Sequence, residues 1–339
     1  MRFFRISLGL LGIACLLLAW GPRSTLADGE NSLCIFDPLG TNGVMFDQIK
    51  DFQVAALESG VSLKLVPYTD ERVAIEDFKA GQCDAVSVTG MRARQFNPFS
   101  GSLDSIGSMP TYEHLRSALS TLSSSKAAKY LTNGNYEVLG IIPEGSAYLF
   151  VNDRSIDTVP ELSGKKIAVL EYDQAQQSLA TATALTPVLS SVDNMYSKFN
   201  NHSVDVCGAP AALYETMELY KGLGDKGGIV RFGLTQITIQ IIAHPDKFPA
   251  GFGQKSREYF FSRFDQFLKS IEQSETRIPD RYWINIPPQD REQYMETFRQ
   301  SRIMLRDKGV YHEKMLGLLG QVRCQIEPQN SECTATDKE

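Results

Sequence analysis

The sequence predicts a mixed α/β protein of two lobes joined by crossover strands and closed by an α-rich C-terminal tail. Three observations carry this. Strand-like and helix-like segments alternate over residues 33–152, a second alternation follows over 166–244, and after Pro249 the pattern becomes helical. The chain has 339 residues, enough for about two units with cores of their own.

In the first half, residues 33–36 form a short apolar run. Residues 44–58 place Met45, Ile49, Phe52 and Ala56 at helical spacing, and residues 61–66 alternate like a strand, which together make a βαβ unit. Residues 70–80 predict a helix with Val73, Ile75 and Phe78 inward, stopped by Gly81, and 85–88 the next strand. A Ser/Ala-rich helix over 115–131, a strand over 136–142, a turn at Pro143-Glu144-Gly145 and a strand over 147–152 complete it. The second half predicts strands over 166–170 and 203–207, helices over 174–185 and 209–220, and a long β-rich segment over 228–244. The tail predicts helices over 254–272, 291–308 and 311–322, with a turn at Ile286-Pro287-Pro288.

The N-terminus points to export. Arg2 and Arg5 precede a charge-free, mostly apolar run over 6–20, and Thr25-Leu26-Ala27 offers the small-residue pattern a signal peptidase cuts after, so residues 1–27 are expected to be a signal peptide and Asp28 the first mature residue. The run is shorter than the ~20 residues a membrane-spanning helix needs. Cys15 follows Gly12-Ile13-Ala14, a poor lipoprotein signal, and no later segment has enough uninterrupted apolar residues to span a bilayer. The net charge is −6 and becomes more negative once Arg2, Arg5 and Arg23 leave. No cluster of lysines and arginines with interleaved aromatics is present, which argues against nucleic acid and anionic membrane surfaces as partners.

Five cysteines follow the signal. In an oxidising compartment they are expected to form bridges rather than a metal site, and no Cys-x-x-Cys pair occurs. Cys324 and Cys333 flank a short Pro-containing segment that a bridge would close. Cys34 lies in the first predicted strand and Cys83 at the entry to the third, strands that are normally neighbours in an open parallel sheet, so a bridge there is geometrically reasonable. Cys207 is left as a small buried side chain.

Open α/β sheets bind ligands at the carboxyl ends of their strands. The loops in that position are 37–43, 68–72, 89–95, 144–148, 171–174 and 208–210, and two lobes facing each other across them make a clamp. Ile156-Asp-Thr-Val-Pro-Glu-Leu-Ser-Gly-Lys-Lys-Ile-Ala-Val169 resembles the pattern I-x-T-x-x-D-L-x-G-x-K-x-R-V of DctP-type solute-binding proteins of TRAP transporters. Ser203-Val-Asp-Val-Cys-Gly-Ala-Pro210 resembles that family's V-V-D-G-x-x-N-P segment. Over most of its length the chain is also similar to orphan solute-binding proteins, some of them labelled accessory proteins of RND-type drug efflux.

The resemblance implies a two-lobed periplasmic-binding-protein fold, with residues 28–142 and the returning segment 242–339 in lobe I and 143–241 in lobe II. It implies a periplasmic monomer that captures a small polar organic ligand and delivers it to a membrane permease, with no cofactor and no metal. The chain departs from the family at two points. Ala168 stands where the pattern has an arginine whose fork pairs with a substrate carboxylate, and Ala209 stands where it has an asparagine, so the family's carboxylate clamp does not carry over.

Several residues compete to replace that clamp. Arg92 and Arg94 would supply a fork from the opposite wall, or pair with a neighbour such as Asp104. Asp37, Glu144, Glu171 and Asp173 would instead favour an amine or a hydroxyl-rich ligand. Tyr68, Tyr148 and Tyr172 offer flat walls with a polar edge or pack between the lobes, and Pro210 closes the loop of the second motif. An enzyme is the distant alternative: no Gly-x-Ser-x-Gly, His-Glu-x-x-His or phosphate-binding loop occurs, and His114, His202, His244 and His312 are scattered. The nearer alternative, an accessory protein of an efflux system, lacks the sustained heptads of an adaptor hairpin.

Overall fold

Two sixteen-residue strands, Tyr136–Val151 and Gly228–Ala243, pair antiparallel along most of their length and carry the chain between two α/β halves. The computed structural model describes Met1, residues 29–335, Asp337 and Glu339. Residues 2–27 of the expected signal peptide, with Cys15, lie outside the described residues.

The first half runs β1 (Asn31–Phe36), α1 (Val44–Glu58), β2 (Leu63–Tyr68), α2 (Glu71–Lys79), β3 (Ala85–Thr89), the short α3 (Gly90–Ala93) and α4 (Tyr112–Ser123). After β4 (Thr132–Asn133) comes the long β5 (Tyr136–Val151). The second half runs β6 (Lys166–Leu170), α5 (Gln174–Ala182), β7 (Thr186–Ser190), α6 (Val192–Asn200), β8 (Val206–Pro210), two helical turns α7 (Leu213–Thr216) and α8 (Tyr220–Leu223), and β9 (Gly228–Ala243). The tail contributes α9 (Phe252–Ser262), α10 (Phe264–Arg277), β10 (Trp283–Ile284), α11 (Pro288–Asp307) and α12 (Glu313–Ile326).

One sheet passes through both halves in the order β2-β1-β3-β9-β5-β8-β6-β7. Among the three outer strands on each side the neighbours are parallel, and the antiparallel pairs are those made by β5 and β9. Parallel strands must be covered on both faces. Accordingly, α1 and α9 bury Phe46, Ile49, Phe52 and Phe260 on one face of the first half, while α2, α4 and α12 bury Phe78, Leu115, Leu119 and Met315 on the other. In the second half α6 packs Met195 and Phe199 on one face, and Ala180 of α5 with Tyr294 and Phe298 of α11 cover the other.

Local chemistry fixes where helices begin. Asp70 accepts the Arg72 and Val73 amides at 2.8 and 3.2 Å, and Thr111 and Asp173 cap α4 and α5 in the same way. Asp37 accepts the amides of Leu39 and Phe46 at 2.9 and 3.2 Å at the start of α1. Gly43 is required there because a Cβ would collide with the Asp37 carboxylate.

Several predicted elements need correction. The helix expected over 115–131 begins at Tyr112 and stops at Ser123; Ser124 is extended and a 3-10 segment, Ser125–Tyr130, follows. Serines compete for local backbone hydrogen bonds and make a poor helix interior. The turn expected at 143–145 is a bulge inside β5: the register with β9 passes from Pro143 opposite Thr238 to Gly145 opposite Ile237, leaving Glu144 without an opposed residue. The helix expected over 209–220 breaks into α7 and α8 around Glu218, whose φ is +52°. The helix over 254–272 divides at Arg263 into α9 and α10. Val73, expected inward, is exposed, and Ala74 takes its place in the core. β7 and α6 went unpredicted, because TPVLS has Pro187 within it.

Both expected bridges are present. Cys34 joins Cys83 across the β1–β3 neighbours with Cα atoms 5.9 Å apart, and Cys324 joins Cys333 at 5.6 Å. Cys207 is buried and free, and burial pushes its thiol up to about 12.

The tail is fastened by two buried arginines. Arg302 donates to Glu339 through Nε at 2.8 Å and to the Ile106 carbonyl at 2.8 Å; Arg323 donates to Glu332 and Glu339 and to the Ser108 carbonyl at 2.9 Å. Both guanidinium groups are almost fully enclosed, at 0% and 1% exposure. They hold the 104–108 loop, which also bonds to β9 through Gly107 N–H to Leu234 O and Thr235 Oγ1 to Asp104 O.

Candidate functional site

A cavity of about 220 Å³ lies between the two halves, where β5 and β9 pass from one to the other. Ala147 and Leu149 of β5 and Leu234 and Ile237 of β9 form its floor. Phe36, Met45 and Met91 wall it from the first half, and Ala168, Tyr172 and Pro210 from the second. Tyr294 and Phe298 of α11 close its far end, with Tyr311 beside them. The lining is chiefly aliphatic, aromatic and methionine, the composition of a small-molecule pocket.

Three carboxylates reach this space: Asp104, Glu144 and Asp173. Asp104 is buried and receives two bonds from Thr238, from the backbone N–H at 3.0 Å and from Oγ1 at 2.6 Å. Burial outweighs these bonds and pushes its carboxyl up to about 7. Asp173 accepts the Ala175 amide at 3.0 Å as the α5 cap and pairs with Arg94 at 3.3 Å. Glu144 is different. It projects from the β5 bulge, its Oε1 is enclosed without a hydrogen-bond partner, and burial, with the charge of Asp37 nearby, pushes it up to about 8. Among the described residues the lining contains no lysine, arginine or histidine.

The two candidate arginines reach across the cleft rather than into it. The Arg92 guanidinium lies 3.3 Å from the centre of the Tyr172 ring and its Nε is 3.6 Å from Glu71; Tyr172 in turn donates its hydroxyl to Glu71 at 3.3 Å. Glu71 is fully buried and its carboxyl is raised by that burial, against the lowering effect of Thr89 and Arg92. Arg94 spends its Nε on the Gly101 carbonyl at 3.1 Å and its Nη1 on Asp173. Both are therefore ties from the first half to Tyr172 and Asp173 of the second.

The structure thus brings Glu144, Tyr172, Asp173 and Pro210 together on the cavity, with Arg92 and Arg94 immediately behind. It places three other candidates elsewhere. Asp37 caps α1, between the lining residues Phe36 and Pro38, and its own carboxyl is raised by burial. Tyr68 donates to Asp77 at 2.6 Å, and burial pushes its phenol up to about 12. Tyr148 shares Glu275 with Tyr112, at 2.7 and 2.5 Å, and stands edge-on to Trp283. Glu171, also weighed, is exposed. Sequence reasoning missed Met91, Phe298 and Tyr311 as walls. Met91 lay in a flagged loop where only the arginines drew notice, and the other two come from the tail, with no local signal.

A cavity gripped between two α/β halves on a pair of shared crossover strands is the architecture of a periplasmic solute-binding protein, and solved structures agree. A TRAP periplasmic solute-binding protein of Haemophilus influenzae with bound L-gulonate superposes with a TM-score of 0.71 at 10% identity, covering 86% of this chain and 99% of that one. One from Bradyrhizobium sp. in complex with galacturonate gives 0.69 at 14% identity, covering 87% and 99%. Within this fold the chain belongs to the family of solute-binding proteins AdeT 1/2, whose model matches residues 52–338. A relative described as probable solute-binding protein AdeT1, from Acinetobacter baumannii, is 45% identical over 304 residues, which cover 90% of this chain and 100% of that protein. The expected receptor class, fold and bridges are in agreement with these findings.

Proposed function

We propose that this solute-binding protein works as a monomeric periplasmic receptor, released from its signal peptide at Ala27, that captures a small polar organic molecule between its lobes and delivers it to a membrane permease. The observation that carries the reading is the cavity between the halves, bridged by Arg92 on Tyr172 and Arg94 on Asp173. The moving units are residues 28–142 with part of the tail, and 143–241. β10 and the start of α11 pack on the second half through Ile284 and Tyr294, so the tail follows both units. A ligand with better contacts in the closed form shifts the open–closed population toward it.

The neighbours' ligands, gulonate and galacturonate, are carboxylates. The cavity of this chain presents Ala168 and, among the described residues, a lining without lysine, arginine or histidine instead, so their ligand class does not transfer. The efflux-accessory reading gains no support: the longest helix among the described residues is the twenty-residue α11, far from an adaptor hairpin. A thermal-shift panel of organic acids, amino acids, amines and sugars tests the receptor reading. A ligand at 100 times its Kd adds ~2.7 kcal/mol to the native state, and small-angle scattering should show compaction with that ligand. Silence across the whole panel would sink the reading.

A further inference from the structure

We propose that the cavity takes a small organic cation, a ring-sized hydrophobic body carrying a protonated amine as its polar head, with the ammonium seated on the Glu144 carboxylate. This rests on the receptor reading and names its ligand class.

The argument is one of unmet polarity. Burying a carboxylate is costly unless a cation or donors answer it. Around this cavity that requirement is met everywhere but once. Thr238 serves Asp104, Arg94 serves Asp173, and Leu39 and Phe46 serve Asp37. Glu144 alone of these leaves an enclosed oxygen unserved.

The placement of Glu144 follows from the backbone. The bulge between Pro143 and Gly145 takes it out of the ladder with β9, and Gly145, at φ +96°, supplies a conformation that side-chain-bearing residues rarely adopt. A bulge is how a strand re-aims one side chain. The result is a carboxylate turned onto an apolar chamber at the junction of the two halves.

The rest of the lining selects the body of the ligand. A cavity of about 150 Å³ is enough to hold benzene, so about 220 Å³ accepts a ring with a short side chain. Phe36, Met91 and Phe298 offer aromatic and thioether surfaces suited to such a body. A carboxylate ligand would find no lysine, arginine or histidine on the described lining and would face three carboxylates. A cation finds one that is unpaired, and by displacing the proton that burial keeps on Glu144 it gives the carboxylate the partner the walls do not supply.

Isothermal titration calorimetry with 2-phenylethylamine, 2-phenylethanol and 3-phenylpropionate, on the wild-type protein and on Glu144→Gln, decides the matter. The amine should bind the wild type at least about tenfold tighter than the acid. Glu144→Gln should weaken the amine by about tenfold or more, the loss of a charge-assisted bond, while holding the alcohol within about twofold. Retained alcohol binding, with an unchanged melting temperature at pH 5, establishes that the variant is folded. A preference for the acid, or amine binding indifferent to Glu144→Gln, overturns the proposal. Amines that fail while acids or sugars of the wider panel bind overturn it too and leave the receptor reading standing. Failure of every compound overturns both.

Discussion

Two of the places where this protein encloses acidic groups are opposites in design. Under the tail, Glu332 and Glu339 meet Arg302 and Arg323, and the remaining guanidinium donors find the Ile106 and Ser108 carbonyls, so each charge is answered. In the cavity, Glu144 has an enclosed oxygen with no donor, and among the described residues the surrounding walls carry no cation. The first arrangement spends burial on a fixed geometry. The second leaves one oxygen without a partner and the carboxyl holding its proton well above the usual carboxylate range. The two are connected, because the loop the arginines hold is the one that delivers Asp104 and Ile106 to the cavity.

The sharpest way to break the contrast is to make the tail resemble the cavity. Arg323→Ala would strip Glu332 of both its guanidinium hydrogen bonds, leaving it only Arg302 at 3.6 Å, and would take one donor from Glu339, and urea unfolding should show a loss of about 3 kcal/mol, the low end of the cost of breaking a buried pair. Next comes the staple beside it. Replacing Cys324 and Cys333 together by serine frees the turn that carries Glu332 and should cost up to about 3 kcal/mol by chain entropy, read from the same unfolding curves.

The converse experiment makes the cavity resemble an ordinary interior. Glu144→Gln should stabilise the ligand-free protein by about 1–3 kcal/mol at pH 9, the scale of an unmet buried polar group, and change nothing near pH 4. The sign follows from linkage. Burial holds Glu144 up at about 8, above its ordinary value of 4.5, so between those values the native state keeps a proton that the unfolded chain has lost. The wild type therefore has its full stability below about 4.5 and loses it as pH rises through about 8. Melting temperatures of the two proteins should diverge across that window. The smallest effect belongs to the cleft: Arg94→Gln removes the charged tie to Asp173 but leaves an amide donor in its place and Asp173 its Ala175 amide, and should cost about 1 kcal/mol, but enlarge the ligand-free particle in small-angle scattering.

Where the sequence was legible, one local interaction decided the outcome. The periodicity of 44–58 gave α1 with its true bounds, and the spacing of strands brought Cys34 to Cys83. Where it was not, two distant segments decided. Pro143-Glu144-Gly145 has every local mark of a turn, and only the unbroken pairing with β9 keeps it a strand with a bulge. Arg92 and Arg94 stand in the correct loop, but what they touch is set by Tyr172 and Asp173, some eighty residues away. The loss of the family's arginine at Ala168 was readable from the motif. The solitude of Glu144 was not, since it depends on every wall at once.

The crossover ribbon has a mechanical meaning as well. Counting from β9 to β2 and from β5 to β7, each outer edge of the sheet stands three strands from the ribbon, or roughly 14 Å at the usual spacing. Glu144 sits on the ribbon itself, near the axis about which the halves would swing, so a guest held there barely travels while the edges travel far. On the proposed closure such a molecule would be a lever with its load at the fulcrum: a docking partner resting on the outer strands would feel that the chamber is full without ever touching what fills it.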